Sequence, residues 1–229
     1  MIILNIVDEK EDIVRLIISD LHLGSLYSKE EKIYDLLRSI ECDELILAGD
    51  VIDFIKVPKF TQKTAELFNL IKSLNSKVIY IVGNHDFVFR SFIGMTVDNI
   101  VFVDKYEFEY DGRKFRVEHG DKYEEGIIHW RYFMNFMSIL QDFIERIFRY
   151  NLAELYVRLK NRKLKKIWDI VKWNNDADVF IMGHTHKPEV LIWVDKDENI
   201  KTYVNTGDWI QHSAYVIIKD RKLRLKNFS

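Results

Sequence analysis

The chain has 229 residues, 48% of them hydrophobic and 31% charged, with a formal net charge of −2. That length buries a real core in one large domain, and the near-balanced charge gives no global reason to expect nucleic acid as a partner. The single cysteine, Cys42, excludes an intramolecular disulfide and fits a reducing, cytoplasmic setting.

From the N-terminus, Asp8, Glu9, Lys10, Glu11 and Asp12 interrupt the opening apolar residues, so no leader pattern is expected. Uncharged runs fall well short of the ~20 residues of a membrane-spanning helix. Residues 13–19 read as a buried strand. Residues 29–40 read as an amphipathic helix with Ile33, Leu36, Leu37 and Ile40 on one face. A strand over 44–48 follows, then a helix over 61–74 with Thr64, Leu67, Phe68, Ile71 and Leu74 inward, then a strand over 77–82. This rhythm predicts a largely parallel sheet with right-handed crossovers, whose ligands collect beyond the carboxyl ends of the strands. Short strands are expected over 100–103, 105–110 and 114–118, the last two joined by a turn at Asp111-Gly112. Beyond His119 the pattern becomes helical and aromatic, with helices near 127–149, 152–160 and 164–173. Strands resume over 178–182, 190–194, 200–204 and 214–218. The reading is a single domain over 1–229 that carries a helical insertion over 123–175.

Residues of metal-ligand type stand in short clusters at or just past the ends of the β-like runs. These are Ser19-Asp20-Leu21-His22, Gly49-Asp50-Val51-Ile52-Asp53, Gly83-Asn84-His85-Asp86, His119-Gly120-Asp121 and Gly183-His184-Thr185-His186. Carboxylate and amide oxygens mixed with imidazoles suit Mn²⁺, Fe²⁺ or Zn²⁺ better than Ca²⁺, which prefers oxygen alone. Asp20 with His22, and His184 with His186, are expected to alternate along extended chain and so to point to one side. Taken singly, each has a blander reading: Asn84 as a turn residue, Asp50 as a cap, the histidines as hydrogen-bonded surface groups. Together they supply enough ligands for two ions with one carboxylate shared, the usual device for in-line attack on phosphorus.

The order of these motifs resembles the calcineurin-like metallophosphoesterase superfamily. The resemblance implies a four-layer α/β/β/α sandwich of two mixed β-sheets flanked by helices, with a dinuclear centre at one edge. It implies one ion on Asp20, His22 and His186, a second on Asn84, His119 and His184, and Asp50 bridging them. Mn²⁺ is the first choice of ion, with Fe or Zn²⁺ as alternatives. The expected reaction is hydrolysis of a phosphate ester by a metal-bridging hydroxide. His85 would protonate the leaving oxygen or stabilise developing charge, with Asp86 orienting its ring. Asp53 and Asp121 are expected to accept hydrogen bonds from ligand histidines.

The opening Ser-Asp-Leu-His-Leu-Gly, the Gly-His-Thr-His-Lys-Pro run and the late Asn205-Thr206-Gly207-Asp208-Trp209 are similar to the UDP-2,3-diacylglucosamine hydrolase branch. That branch acts on a lipid-linked pyrophosphate, and typically has Arg where this chain has His85. An Arg neutralises a diphosphate but is no general acid at neutral pH, whereas His suits a leaving alcohol that needs a proton. The insertion is expected to select the substrate. Its apolar residues, Trp130 and Phe133 among them, exceed one helical stripe, and Arg158 and Arg162 belong to a basic run behind them. Burial between helices, a homodimer contact and an acyl groove are the alternatives, with peripheral contact at the inner face of a membrane following from the last. A non-catalytic scaffold on the same fold is the reading from a different class.

Overall fold

A computed structural model describes residues 13–55, 57–123, 171 and 176–229. The first half alternates β1 (Arg15–Ile18), α1 (Glu30–Ser39), β2 (Glu44–Ala48), α2 (Gln62–Ser73) and β3 (Lys77–Ile81). A 3₁₀ turn over Phe87–Phe92 leads to β4 (Thr96–Val97), β5 (Ile100–Val103), β6 (Tyr106–Tyr110) and β7 (Arg113–Val117). After a second short turn at Asp121–Tyr123 come β8 (Val179–Met182), β9 (Glu189–Val194), β10 (Ile200–Asn205), β11 (Ala214–Lys219) and β12 (Lys222–Asn227).

The strands form two mixed sheets. One has the order β12-β11-β1-β2-β3-β5-β4 and the other β6-β7-β8-β10-β9. In the first, β1, β2, β3 and β5 run parallel, and in the second β7, β8 and β10 do. The expected parallel core is therefore present, and antiparallel edges make each sheet mixed. Two of those edges, β4 and β12, were not foreseen. The β12 pattern Lys222-Leu223-Arg224-Leu225-Lys226 is charged and only half-buried, so it carries little of the apolar signal that marks a central strand.

Alternation along β1 shows how the layers divide. Leu16 and Ile18 face α1 and α2, packing with Ile33, Leu36, Leu67 and Ile71. Ile17 faces the opposite way, into the core between the sheets, with Ile46, Val117, Ile181 and Val216. Burying each such side chain contributes about 1.5–3 kcal/mol. Helix α2 starts where its sequence caps it, since the Thr61 and Thr64 hydroxyls each accept the other's backbone N–H, at 3.1 and 2.9 Å. The Asp111-Gly112 turn has φ of +52° and +69°, as a two-residue hairpin requires.

On the outer face of the second sheet, Phe180, Met182 and Tyr203 pack with Val171. Val171 apart, the helices expected over 127–149, 152–160 and 164–173 lie outside the described residues. So do the proposed substrate-selecting residues Trp130, Phe133, Arg158 and Arg162.

Candidate metal centre

The parallel strands point their carboxyl ends to one edge, and the loops that leave them are laced together there. Asp20 N–H donates to Gly49 O at 3.0 Å, His22 N–H to Asp50 O at 3.0 Å, and Phe54 N–H to His85 O at 3.1 Å. Within the second sheet Gly183 N–H donates to His119 O at 3.1 Å, and across the sheets Trp209 N–H donates to Asp20 O at 3.1 Å. Close approach demands glycine at two of these positions. A Cβ on Gly49, whose φ is +87°, would strike the His119 ring, and one on Gly183 would strike Asp20 and Ser19.

Three triplets of ligand atoms result: Asp20, His22 and His186; Asp50, His119 and His184; and His22, Asp50 and His85, which shares His22 with the first and Asp50 with the second. Asn84 joins the second, with its Oδ1 3.2 Å from His119 Nε2, and Asp50 Oδ2 lies 3.2 Å from the same nitrogen. The strand-end motifs of the sequence thus converge at one edge of the fold.

The local geometry differs from expectation. Asp20, His22, His184 and His186 do not alternate on extended chain: their φ values are +52°, +48°, +64° and +62°, and Asp50 has +53°. The chain turns through the left-handed region at these five residues, bringing Asp20 and His22, and His184 and His186, onto one edge. Such a conformation costs on the order of 1–3 kcal/mol per residue, and the loop-to-loop hydrogen bonds hold it in place.

Electrostatics fit a site built for cations. Burial pushes the Asp20 carboxyl up, against the pull of His186 and His119. Burial would do the same to Asp50, but His119 and His85 hold it well below the usual carboxylate range. Burial likewise opposes a charge on His119, yet Asp50 outweighs it and raises the imidazole to about 10. His22, buried and flanked by His85 and His186, is lowered to about 3 and is neutral near pH 7, as a metal-ligating imidazole must be. His119 Nδ1 faces Ala48 O at 3.0 Å, which commits one ring nitrogen to the backbone and turns the other toward Asp50. Asp20 Oδ1 and His22 Nε2 are buried without a hydrogen bond among the described residues. Buried polar atoms left so are costly, and a cation between them would satisfy both. The donor set therefore fits divalent transition metals.

His85 stands at the mouth. Its side chain is 24% exposed, its Nε2 is 3.7 Å from Asp50 Oδ2, and its ring meets His22 edge-on. The carboxylate against its Nδ1 is Asp53, at 2.9 Å, and not Asp86 as expected. Asp86 is fully buried and accepts from Val51 N–H at 2.9 Å, Gly83 N–H at 2.6 Å and the Tyr80 hydroxyl at 2.7 Å. It pins the β2 loop to the β3 loop, and burial with Asp50 nearby raises it to about 6. Asp121 accepts from Arg90 at 3.2 Å.

Sequence reading quoted the Asn205–Trp209 run only as a mark of resemblance and gave its residues no role at the site. Asp208 Oδ2 lies 3.5 Å from His186 Nδ1, and the Asn205 amide donates to Gly183 O at 2.6 Å and Thr185 Oγ1 at 2.9 Å. Ser19 Oγ bridges Asp20 and Thr206, 2.5 Å from each. The one available signal was the polar Asn-Thr-Gly-Asp run directly after a strand.

Residues 14–188 match the model of the calcineurin-like phosphoesterase family. The chain belongs to this family. Membership, with the clustered carboxylates and imidazoles, makes it a metal-dependent phosphoric ester hydrolase. A UDP-2,3-diacylglucosamine hydrolase of Vibrio cholerae serotype O1 is 24% identical over 88% of this chain and 93% of that protein. The enzyme of the same name from Blochmanniella pennsylvanica is 25% identical over 90% of this chain and 92% of its own. Among solved structures, Chaetomium thermophilum Vps29 shares the fold, with a TM-score of 0.50 and 14% identity over 93% of this chain and 86% of that one.

Proposed function

We propose that this phosphoesterase works with two divalent cations, Mn²⁺ first and Fe or Zn²⁺ as alternatives. One is held by Asp20, His22 and His186, the other by Asn84, His119 and His184, with Asp50 between them. The observation that carries this reading is that the Asp20–His22–His186 and Asp50–His119–His184 triplets meet at one strand-end edge. Such ions, when bound, polarise phosphoryl oxygens and acidify water at the site.

The chain's own groups do the rest. Among the seven ligand positions, only Asn84 and His186 are half-exposed while the others are buried, so the ester approaches over those two and His85. With Nδ1 turned to Asp53, His85 aims Nε2 into the centre, on the Asp50 side. As the P–O bond breaks in line with the attacking water, a protonated Nε2 gives its proton to the leaving oxygen. Asp53 holds the ring in the required orientation, and Asp86 and Asp208 hold the loops.

A second reading is favoured by the names of the relatives: a lipid-linked pyrophosphate in place of a simple mono- or diester. Under it the 123–175 insertion is the acyl-binding element of a single domain, and the protein works at the inner face of a membrane. Among the described residues no helix is long and apolar enough to cross one.

The test is metal-free protein with Mn²⁺ added back, assayed on bis-p-nitrophenyl phosphate beside UDP-2,3-diacylglucosamine. Turnover of the diester alone supports the simple-ester reading, and rapid cleavage of the lipid pyrophosphate supports the second. No metal-dependent turnover of either would overturn both and favour a scaffold.

A further inference from the structure

The ligand residue His186 differs from its partners in how it is held. Asp20 is locked by Ser19 Oγ at 2.5 Å and by His184 N–H at 3.0 Å, and His119 by the Ala48 carbonyl at 3.0 Å. His186 is the most exposed of the histidine ligands, with its side chain 17% exposed against 3% for His22 and 1% for His119. Its Nε2 faces Asp20 Oδ1 at 3.2 Å, on the ion side. Its Nδ1 faces the buried carboxylate of Asp208, 3.5 Å away.

Asp208 is built to stay where it is. Its Oδ1 accepts the backbone N–H groups of Ile210 at 3.0 Å, Gln211 at 2.6 Å and His212 at 3.1 Å, so the loop after β10 is folded around it. Its Oδ2 is left for two rings, His186 Nδ1 and His212 Nδ1, the latter at 3.2 Å. A carboxylate anchored through one oxygen and facing a ligand imidazole through the other fixes the tautomer and aim of that imidazole.

The geometry points to Asp208 as a positioning residue that sets the cation affinity of the Asp20–His22–His186 position and not of the other. This inference rests on the two-ion reading above, and ion counting separates the two. Wild-type protein stripped of metal and titrated with Mn²⁺ is expected to take up two ions. Asp208→Asn keeps an oxygen for the three N–H groups but turns an amide toward Nδ1. It is expected to weaken one uptake step by roughly 10–100-fold and to leave the other unchanged. His212→Ala, which removes only the competing ring, is expected to keep both steps. Two steps of wild-type affinity in Asp208→Asn would overturn the inference, and so would equal weakening of both.

A second measurement needs no variant. In Zn²⁺-loaded wild-type protein, long-range ¹H–¹⁵N spectra are expected to show the His186 proton on Nδ1, in slow exchange. A bare Nδ1 would overturn the assignment even if Asp208→Asn failed to fold. Uptake of a single ion by the wild type would remove the two-ion reading, and the role of Asp208 would then be decided by that His186 spectrum.

Discussion

Cation binding at this centre is expected to strengthen as pH rises. Burial opposes a charge on His119, but Asp50, with Asp20 and Asp121 behind it, raises the imidazole from 6.5 to about 10 in the ion-free protein. His22, at about 3, is already neutral near pH 7, and Asp50 is already ionised. A cation entering beside Asp50, His119 and His184 must therefore displace one proton, and that proton comes from His119. Because pH 6 and pH 8 both lie below about 10, apparent affinity rises about tenfold per unit, about 100-fold across the interval. At pH 7, about three units below that value, the lost proton costs about 4 kcal/mol of binding free energy. Titration calorimetry with Mn²⁺ at pH 6, 7 and 8, in buffers of differing protonation enthalpy, reads both affinity and protons released. Affinity that stays flat over this range, or an absence of proton release at pH 7, would refute the reasoning.

Replacing His85 with Ala is expected to lower turnover by about 10²–10⁴-fold while ion content stays at the wild-type level; loss of an ion would make His85 a ligand instead. Asp53→Asn should cost less, and the double variant should be no slower than His85→Ala alone, since Asp53 acts through that ring. Additive losses in the kinetics would break the pairing. Gly49→Ala drives a methyl into the His119 ring at a φ of +87°, so both thermal stability and ion uptake should fall, which melting curves with and without Mn²⁺ would show. The ion-free fold should also lose stability with rising pH. His119 has a raised folded value, so its contribution is fully present below 6.5 and lost as pH rises through about 10. An ion-free melting temperature that holds steady from pH 7 to pH 10 would contradict this.

Much of the molecule is encoded in short-range pattern. The alternation of Leu16, Ile17 and Ile18 already divides the helix-facing core from the inter-sheet core, because side chains on a strand change face at every residue. The Asp, Asn and His clusters mark the edge where a parallel sheet collects its ligands, because loops at strand ends are where polar groups can converge.

What lay beyond the sequence depends on which loop abuts which. Asp86 is the immediate neighbour of His85, yet Asp53, thirty-two positions away, takes the ring, because the β2 and β3 loops are zipped side by side and Asp86 is turned inward to bind them. Asp208 meets His186 because β10 runs parallel to β8 in the same sheet, which carries the two loops out at the same end. The left-handed turns at Asp20, His22, Asp50, His184 and His186 are stable only within that lattice of hydrogen bonds. Spacing along a chain encodes periodicity and residue chemistry. Long-range packing alone decides which neighbour each functional group finds, and with it the tautomer, the charge and the aim.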